Sequence, residues 1–524
     1  MYFPLIEARQ LIDNRQTPDR LIFIQTRLAS QGTRPPVCFQ LFWTLADDFQ
    51  NHPPASPERG KRLEYEFIGR HSIPSCISLL SLFNILQTLW GAASSAKPCF
   101  SEQEVYKHAM MTRTALSLSA LIASLILLIS GNAFLMTLLG LRLTNEGFNS
   151  GLIGWVLVFY SIGFVLGTLY ADRIIQRVGH IRAFAVFAAL LASAILLHPL
   201  AIDAQLWGLL RALAGFVMAG LLIVIESWFS SKADNRSRAS LFAIYQVVFF
   251  LSTAGGQVLI RVADPDGFAP FSLAAILVIL ALVPLSLTRT QSPSLENSGR
   301  LSLRQLFKAS PVGGMGALMA GFLVSAFYAM GPVYATRLGL DISQISNFMA
   351  SAIIAAMLLA WPTGWVCDRF NRYWIMLGTA ALAAICSLTV ALVGNVNMPL
   401  LVLFVGLYMG LSAALYPIAV AITNDLMDSH QITAASTSLL LSYGLGGCLG
   451  PPLSSLVMER IGPQGLFISG ALVLVGFSLL MSTRFGRSQT PVSEQEHFVS
   501  TLPEATLGLQ ELDPRNPDFG DDTS

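Results

Sequence analysis

The sequence predicts an all-α membrane protein: twelve transmembrane helices in two pseudo-symmetric six-helix bundles. Three observations carry that prediction: an apolar composition, apolar runs of membrane-spanning length, and basic residues sorted onto alternate connectors. Of 524 residues, 53% are hydrophobic and 12% charged, whereas soluble domains carry roughly 25% charged residues. The net charge of +1 leaves no basic tail or face to neutralise phosphates, which excludes nucleic acid as a partner. The partner that such a composition calls for is a lipid bilayer.

A helix crosses a hydrocarbon core of about 30 Å with about 20 residues. Runs of that kind lie at 114–138, 151–171, 182–201, 206–228, 238–260, 268–288, 312–334, 343–366, 375–394, 399–423, 433–456 and 464–484. They lack the alternation of barrel strands, and in lipid only helices and closed barrels satisfy every backbone polar group. The connectors then fall into two sets. One set, together with the two ends of the bundle, holds Lys107, Arg113, Arg173, Arg177, Arg182, Lys232, Arg236, Arg238, Arg289, Arg300, Arg304, Lys308, Arg369, Arg372, Arg484 and Arg487. The other holds only Arg142, Arg261, Arg337 and Arg460. Cytoplasmic loops keep the excess of Lys and Arg, so both ends of the bundle are expected on the cytoplasmic side of a plasma (inner) membrane, which an even number of spans requires.

After the second run the chain reads "GTLYADRIIQRVGHIRAF", and after the eighth it reads "GWVCDRFNRYW". Asp368-Arg369 in the later stretch echoes Asp172-Arg173 in the earlier one. Repetition at that interval divides the chain into an N-terminal bundle (111–288), a polar cytoplasmic linker (289–311) and a C-terminal bundle (312–484). Residues 1–110, mixed in charge and Pro-rich at "NHPPASPERG", read as an N-terminal extension. Met110-Met111 just before the first span looks like a natural start, a reading that a peptide from before Met110 in the native protein would refute. Residues 485–524 form an acidic tail expected to be disordered.

Within the spans, Arg211 is the most informative residue. An arginine in an apolar helix is costly unless it faces a wet cavity or a partner, although it can also tie helices together through backbone carbonyls. Asn132 on the first span lies at a similar depth. Tyr245 and Gln246 on the fifth span, Tyr408 on the tenth and Tyr443 on the eleventh add hydrogen-bonding capacity near the midplane. These six are the candidate substrate-binding residues, in the manner of pockets that join apolar bulk to a few polar groups. The passages "STAGGQ" and "YGLGGCLGPP" occupy corresponding places in the two halves, where Gly and Pro permit close crossing and bending.

No carboxylate falls near a helix centre. Asp172 and Glu226 both lie at inner helix ends, within reach of Arg173, Arg177 and Arg182, and topology explains the arginines but not Asp172. "HPLAID", with His198 and Asp203, sits in a short external connector without room for a catalytic domain, so no enzyme is expected. The scattered cysteines point neither to a metal site nor to a disulfide framework. The lack of a Gly-rich phosphate loop argues against ATP as an energy source, and no cofactor is expected.

On these residues the chain resembles the major facilitator superfamily. That family's signature after spans two and eight is Gly, three residues, Asp, Arg or Lys, then Gly and further basic residues. Gly364, Asp368, Arg369 and Arg372 match it, with Asn371 where the family usually has Gly. The first copy departs further: Gly167 stands five residues before Asp172, and Gly179-His180-Ile181-Arg182 is displaced by an insertion. A second signature on span four is matched by Arg211 and Gly215. "IESWF" followed by "NRSRASLFAIYQ" is similar to a YcaD-like bacterial branch of the family.

The resemblance, over about residues 111–484, implies a secondary transporter of a small organic solute working by alternating access. Outward transport and proton coupling are weighed beside it. Many proton antiporters of the family carry a mid-membrane carboxylate that this chain lacks, so Glu226, at an inner helix end where burial can change, is the best proton-carrier candidate, with its latch role preferred. A monomer is expected. The resemblance also implies a conformational latch on the cytoplasmic side formed by Asp172, Arg173, Arg177, Glu226, Asp368, Arg369 and Arg372. A facilitative uniporter, or a non-transporting receptor or sensor on the same fold, are the alternatives.

Overall fold

A computed structural model of the chain describes residues 102–232, 237–262, 264–287, 302–393, 397–427, 432–484, 495, 498–499 and 501. The N-terminal extension up to residue 101, most of the linker and nearly all of the acidic tail lie outside the described residues. Twelve long helices follow one another: α1 (Glu102–Asn145), α2 (Ser150–Val178), α3 (His180–Leu197), α4 (Ala204–Lys232), α5 (Arg238–Leu259) and α6 (Ala269–Leu287), then α7 (Pro311–Arg337), α8 (Ile342–Cys367), α9 (Arg372–Val393), α10 (Met398–Asn424), α11 (Ile432–Ile461) and α12 (Gly465–Arg484). Eleven are long and apolar enough to cross a membrane. The other, α11, has the length, 30 residues, but its Gly, Ser and two Pro residues lower its hydropathy. A short helix, Leu303–Ala309, capped by a reciprocal Ser302–Gln305 box, precedes α7.

Most helices overrun the apolar window, and α2 shows why. It continues two turns past the predicted end because "DRIIQRV" keeps apolar residues at helical spacing and puts Arg177 in the last turn, where the dipole favours a cation. Gly179, with φ of 86°, ends it in a conformation that a side chain would strain. Its counterpart α8 stops at Cys367, so the two copies of the Asp-Arg signature sit in different local geometry.

The two halves match down to their turns. At the end of α1, Gly147 N–H donates to Thr144 O (3.1 Å) and Phe148 N–H to Leu143 O (3.2 Å). At the end of α7, Gly339 N–H donates to Thr336 O (2.9 Å) and Leu340 N–H to Ala335 O (3.2 Å). Both glycines are left-handed, with φ of 81° and 78°, which makes each turn a Schellman cap. Two residues further on, Asn149 and Asp341 each cap the next helix, accepting from Leu152 N and Gln344 N at 2.8 Å.

Packing repeats as well. α2 runs along α4 and α8 along α10, while α7 runs along α11. The α1–α5 pair is tied by Ser130 Oγ donating to Ser252 O (3.0 Å) and Gln257 Nε2 to Ala133 O (3.3 Å). These seams are made at glycine: Gly163 and Gly215 bring α2 and α4 backbone to backbone, as Gly321, Gly446 and Gly450 do for α7 and α11. The halves meet where α2 faces α11 and α5 faces α8.

Gly163→Val or Gly446→Val drives a side chain into the facing backbone and is expected to cost about 1–3 kcal/mol. Gly255→Ala and Gly378→Ala, whose added Cβ meets nothing within 4 Å, should leave stability unchanged. Thermal unfolding of the purified protein in detergent separates the two pairs.

Candidate functional site

Between the halves lies a cavity of about 170 Å³, lined by residues of α1, α2, α4, α5, α7 and α11. Asn132 and Met136 come from α1, Tyr160, Ser161 and Phe164 from α2, Phe249 and Gln257 from α5, Ser325 and Tyr328 from α7, and Tyr443 from α11. The wall is largely apolar with hydroxyl and amide groups set into it, and no Asp, Glu, Lys, Arg or His is among its lining residues. Ser161 and Ser325, one from each half, approach to 3.2 Å across it.

The six residues singled out for substrate binding separate into groups. Asn132 and Tyr443 line the cavity. Asn132 Nδ2 donates to the Tyr160 hydroxyl at 3.2 Å, and the Tyr443 ring lies against Tyr416 with centroids 5.2 Å apart. Arg211 is fully buried one layer behind the wall: its guanidinium sits 4.5 Å from the centroid of the Tyr160 ring, and its Nη2 lies 2.7 Å from Met136 Sδ. Tyr245 stands away from the cavity in a cluster with Phe229 and Phe249, where its hydroxyl donates to Glu226 Oε1 at 2.7 Å. Gln246 is buried next to it on α5. Tyr408 is buried edge-on to Phe467, inside the C-terminal half.

Tyr160 is the residue that sequence reasoning passed over. It joins Asn132, Arg211 and the cavity. Its only signal in the sequence is its place on the span that precedes Asp172.

The seven latch candidates occupy the ends of helices on the face that is rich in basic residues. Glu226 is fully buried in α4. Asp172 Oδ1 accepts from Arg173 N at 2.8 Å, the exposed Arg173 side chain lies over Tyr170 at 5.3 Å, and Arg177 is exposed in the last turn of α2. In the second half, Arg369 lies over Trp365 at 4.0 Å. Arg372, at the start of α9 and 1% exposed, forms an ion pair with Asp425 at 2.5 Å and lies 4.0 Å from Asp368. Asp368 in turn accepts from the backbone of Phe498 at 2.7 Å. Asp425, the C-cap of α10, had no distinguishing mark among the acids of the sequence.

At the opposite, cation-poor face three of the four basic residues, Arg142, Arg261 and Arg337, are engaged. Arg142 pairs with Glu146 at 2.7 Å. Arg261, just past α5, donates to Ser346 Oγ (2.9 Å) and Asn347 Oδ1 (2.5 Å) of α8. Arg337 of α7 donates to Phe148 O in the N-terminal half at 3.1 Å. Ser346 Oγ also donates to Gln257 O at 2.9 Å. The "HPLAID" residues serve structure: Trp207 Nε1 donates to His198 O (3.0 Å), and Asp203 caps α4 through Leu206 N (2.8 Å).

The family model described as Major Facilitator Superfamily matches residues 120–411 and 315–512. An uncharacterized MFS-type transporter from Enterobacter sp. (strain 638) is 28% identical over 375 residues, 71% of this chain and 97% of the relative. The uncharacterized MFS-type transporter YcaD of Shigella flexneri is 27% identical over the same shares. Among solved structures, the nucleoside transporter NupG aligns with a TM-score of 0.60 at 15% identity, covering 71% of this chain and 100% of that one. A bacterial homolog to the human lysosomal transporter Spinster, inward-facing and unoccupied, aligns with a TM-score of 0.57 at 16% identity, covering 73% and 98%. At those identities the two structures share the fold.

Breaking the buried pair on the basic face has a predictable sign. Arg372→Ala leaves Asp425 buried without its cation and should lower stability by about 3–5 kcal/mol. Arg372→Met combined with Asp425→Leu removes both charges and should recover most of that loss in thermal unfolding.

Proposed function

The chain belongs to the major facilitator superfamily, and on that premise we propose that it is a secondary transporter moving a small organic solute across the plasma (inner) membrane by alternating access, outward and coupled to protons. The observation that carries the proposal is the cavity at the junction of the halves, with walls drawn from both. A solute there is released to one side or the other by tilting one half against its partner. Both ends of the bundle are cytoplasmic in this reading, as the sorting of basic residues suggests. The Asp172, Glu226 and Asp368–Arg372 clusters then form the cytoplasmic latch.

The ties made by Arg261 to α8 and by Arg337 to Phe148 act, in this reading, as the opposing latch on the external face. Each draws a group of one half to the other, and such bonds must break for the external side to open. Both arginines are exposed to solvent, so each tie is worth about 0.2–1 kcal/mol, and together they bias which side of the protein is closed.

Facilitated diffusion is the second reading, favoured by the absence of any carboxylate among the residues lining the cavity. Under proton coupling, the buried Glu226 with its Tyr245 partner is the carrier. Flux of a solute into proteoliposomes with and without a pH gradient decides between the two.

Alternating access is testable before any solute is known. In a background without the six native cysteines, Arg261→Cys and Asn347→Cys are bridged by a short bifunctional thiol reagent, and Ser325→Cys in the cavity serves as the reporter. With the bridge absent, the reporter should react with impermeant reagents from both sides. With the bridge in place it should react from the cytoplasmic side alone. Labelling from both sides with the bridge in place indicates a channel, and labelling from one side only, with or without the bridge, indicates a protein that does not cycle; either overturns the proposal.

A further inference from the structure

Arg211 is the group that the transport reading leaves unexplained. It has no exposure to solvent, and among the described residues its Nε and Nη1 have no hydrogen-bond partner. Its Nη2 meets a thioether sulfur at 2.7 Å, a weak acceptor. The face of Tyr160, 4.5 Å from the guanidinium carbon, is the remaining compensation for a full positive charge. A ring face returns only part of what a carboxylate would. Such an arginine is held in a state that a negatively charged partner would relieve.

That partner has a way in. Tyr160 and Met136, which both contact the guanidinium, also line the cavity, so a rotation of the ring brings the charge toward the space beside it. Asn132 Nδ2 donates to the phenol oxygen of Tyr160 at 3.2 Å and steadies the ring over the arginine. Elsewhere the cavity wall is largely apolar, with Ile129, Leu157, Phe164 and Phe249 among its lining residues.

We propose that the cavity takes an amphipathic organic monoanion whose carboxylate displaces the Tyr160 ring from Arg211 while its apolar body fills the remaining space. This inference rests on the reading of the cavity as the substrate site. Size narrows the class: a dry cavity of about 150 Å³ holds a benzene ring, so the space of about 170 Å³ suits a single-ring carboxylate. The planar donor fork of arginine fits that head group. Tyr160 is then a stand-in ligand: it covers the charge when the site is empty and leaves when the anion arrives.

The test uses the purified full chain in detergent at constant ionic strength, with benzoate and phenylacetate set against benzamide and phenylacetamide. The acids should raise the melting temperature and the amides should not. Arg211→Gln should abolish that preference, weakening half-saturation by about tenfold or more, and Arg211→Lys should keep part of it. Tyr160→Ala, which removes the competing ring, should tighten the acids severalfold. Equal stabilisation by amides, no stabilisation by either acid, or an acid preference surviving in folded Arg211→Gln overturns the proposal. The bridged-cysteine labelling is indifferent to solute, so it can succeed while this fails, which locates the error in the ligand class rather than in the transport cycle.

Discussion

Contact between glycine backbones holds the molecule together. In a bilayer the hydrophobic effect does not press one apolar helix against another, so packing and interhelical hydrogen bonds must do it. Gly163 with Gly215, and Gly321 with Gly446 and Gly450, remove the side chains that would keep α2 from α4 and α7 from α11. The closeness this permits fixes everything downstream. It sets the path of α2, and therefore the position of Tyr160 between the cavity and Arg211.

The two most buried arginines show how differently one charge can be kept. Arg372 has Asp425 and Asp368 beside it, at helix ends where water is near. Arg211 lies in the second turn of α4 with a ring face and a sulfur for company. The first is a structural pair whose energy is spent on holding α9 to α10. The second keeps its interaction capacity largely in reserve. A reserve of that kind fits a site that binds something intermittently rather than one that is permanently satisfied.

Much of the fold was legible because its signals are coarse: run length, the sorting of Arg and Lys, and a repeated Asp-Arg pair. The positions of "STAGGQ" and "YGLGGCLGPP" also announced close crossings, and Gly256, Gly446 and Gly450 make them. The site was legible only in part. Arg211, Asn132 and Tyr443 stood out as polar groups in apolar helices, but Tyr245 and Tyr408 did so equally, although they point into their own halves. Which face of a helix meets the cavity depends on rotation about its axis, and a helix that is apolar all round gives little sign of that rotation. The paired turns, Gly147-Phe148-Asn149 and Gly339-Leu340-Asp341, were hidden because their shared content is backbone hydrogen bonding plus a cap, carried by different side chains.

Those paired turns have a mechanical consequence. With both the end of one helix and the start of the next satisfied within five residues, the α1–α2 and α7–α8 elbows have little slack, and each hairpin moves as a stiff pair. α1 is hydrogen-bonded to α5 and α2 is packed on α4, so a tilt of α2 carries all four helices with it. The 29 residues of α2 make a rod of about 44 Å, and a rotation of about 10° about its middle moves each end by about 4 Å. A displacement of that size is comparable to the thickness of one aromatic ring. On the proposed alternating access, a path for a single-ring solute would then need only a change in angle that leaves the interior packing of each half intact.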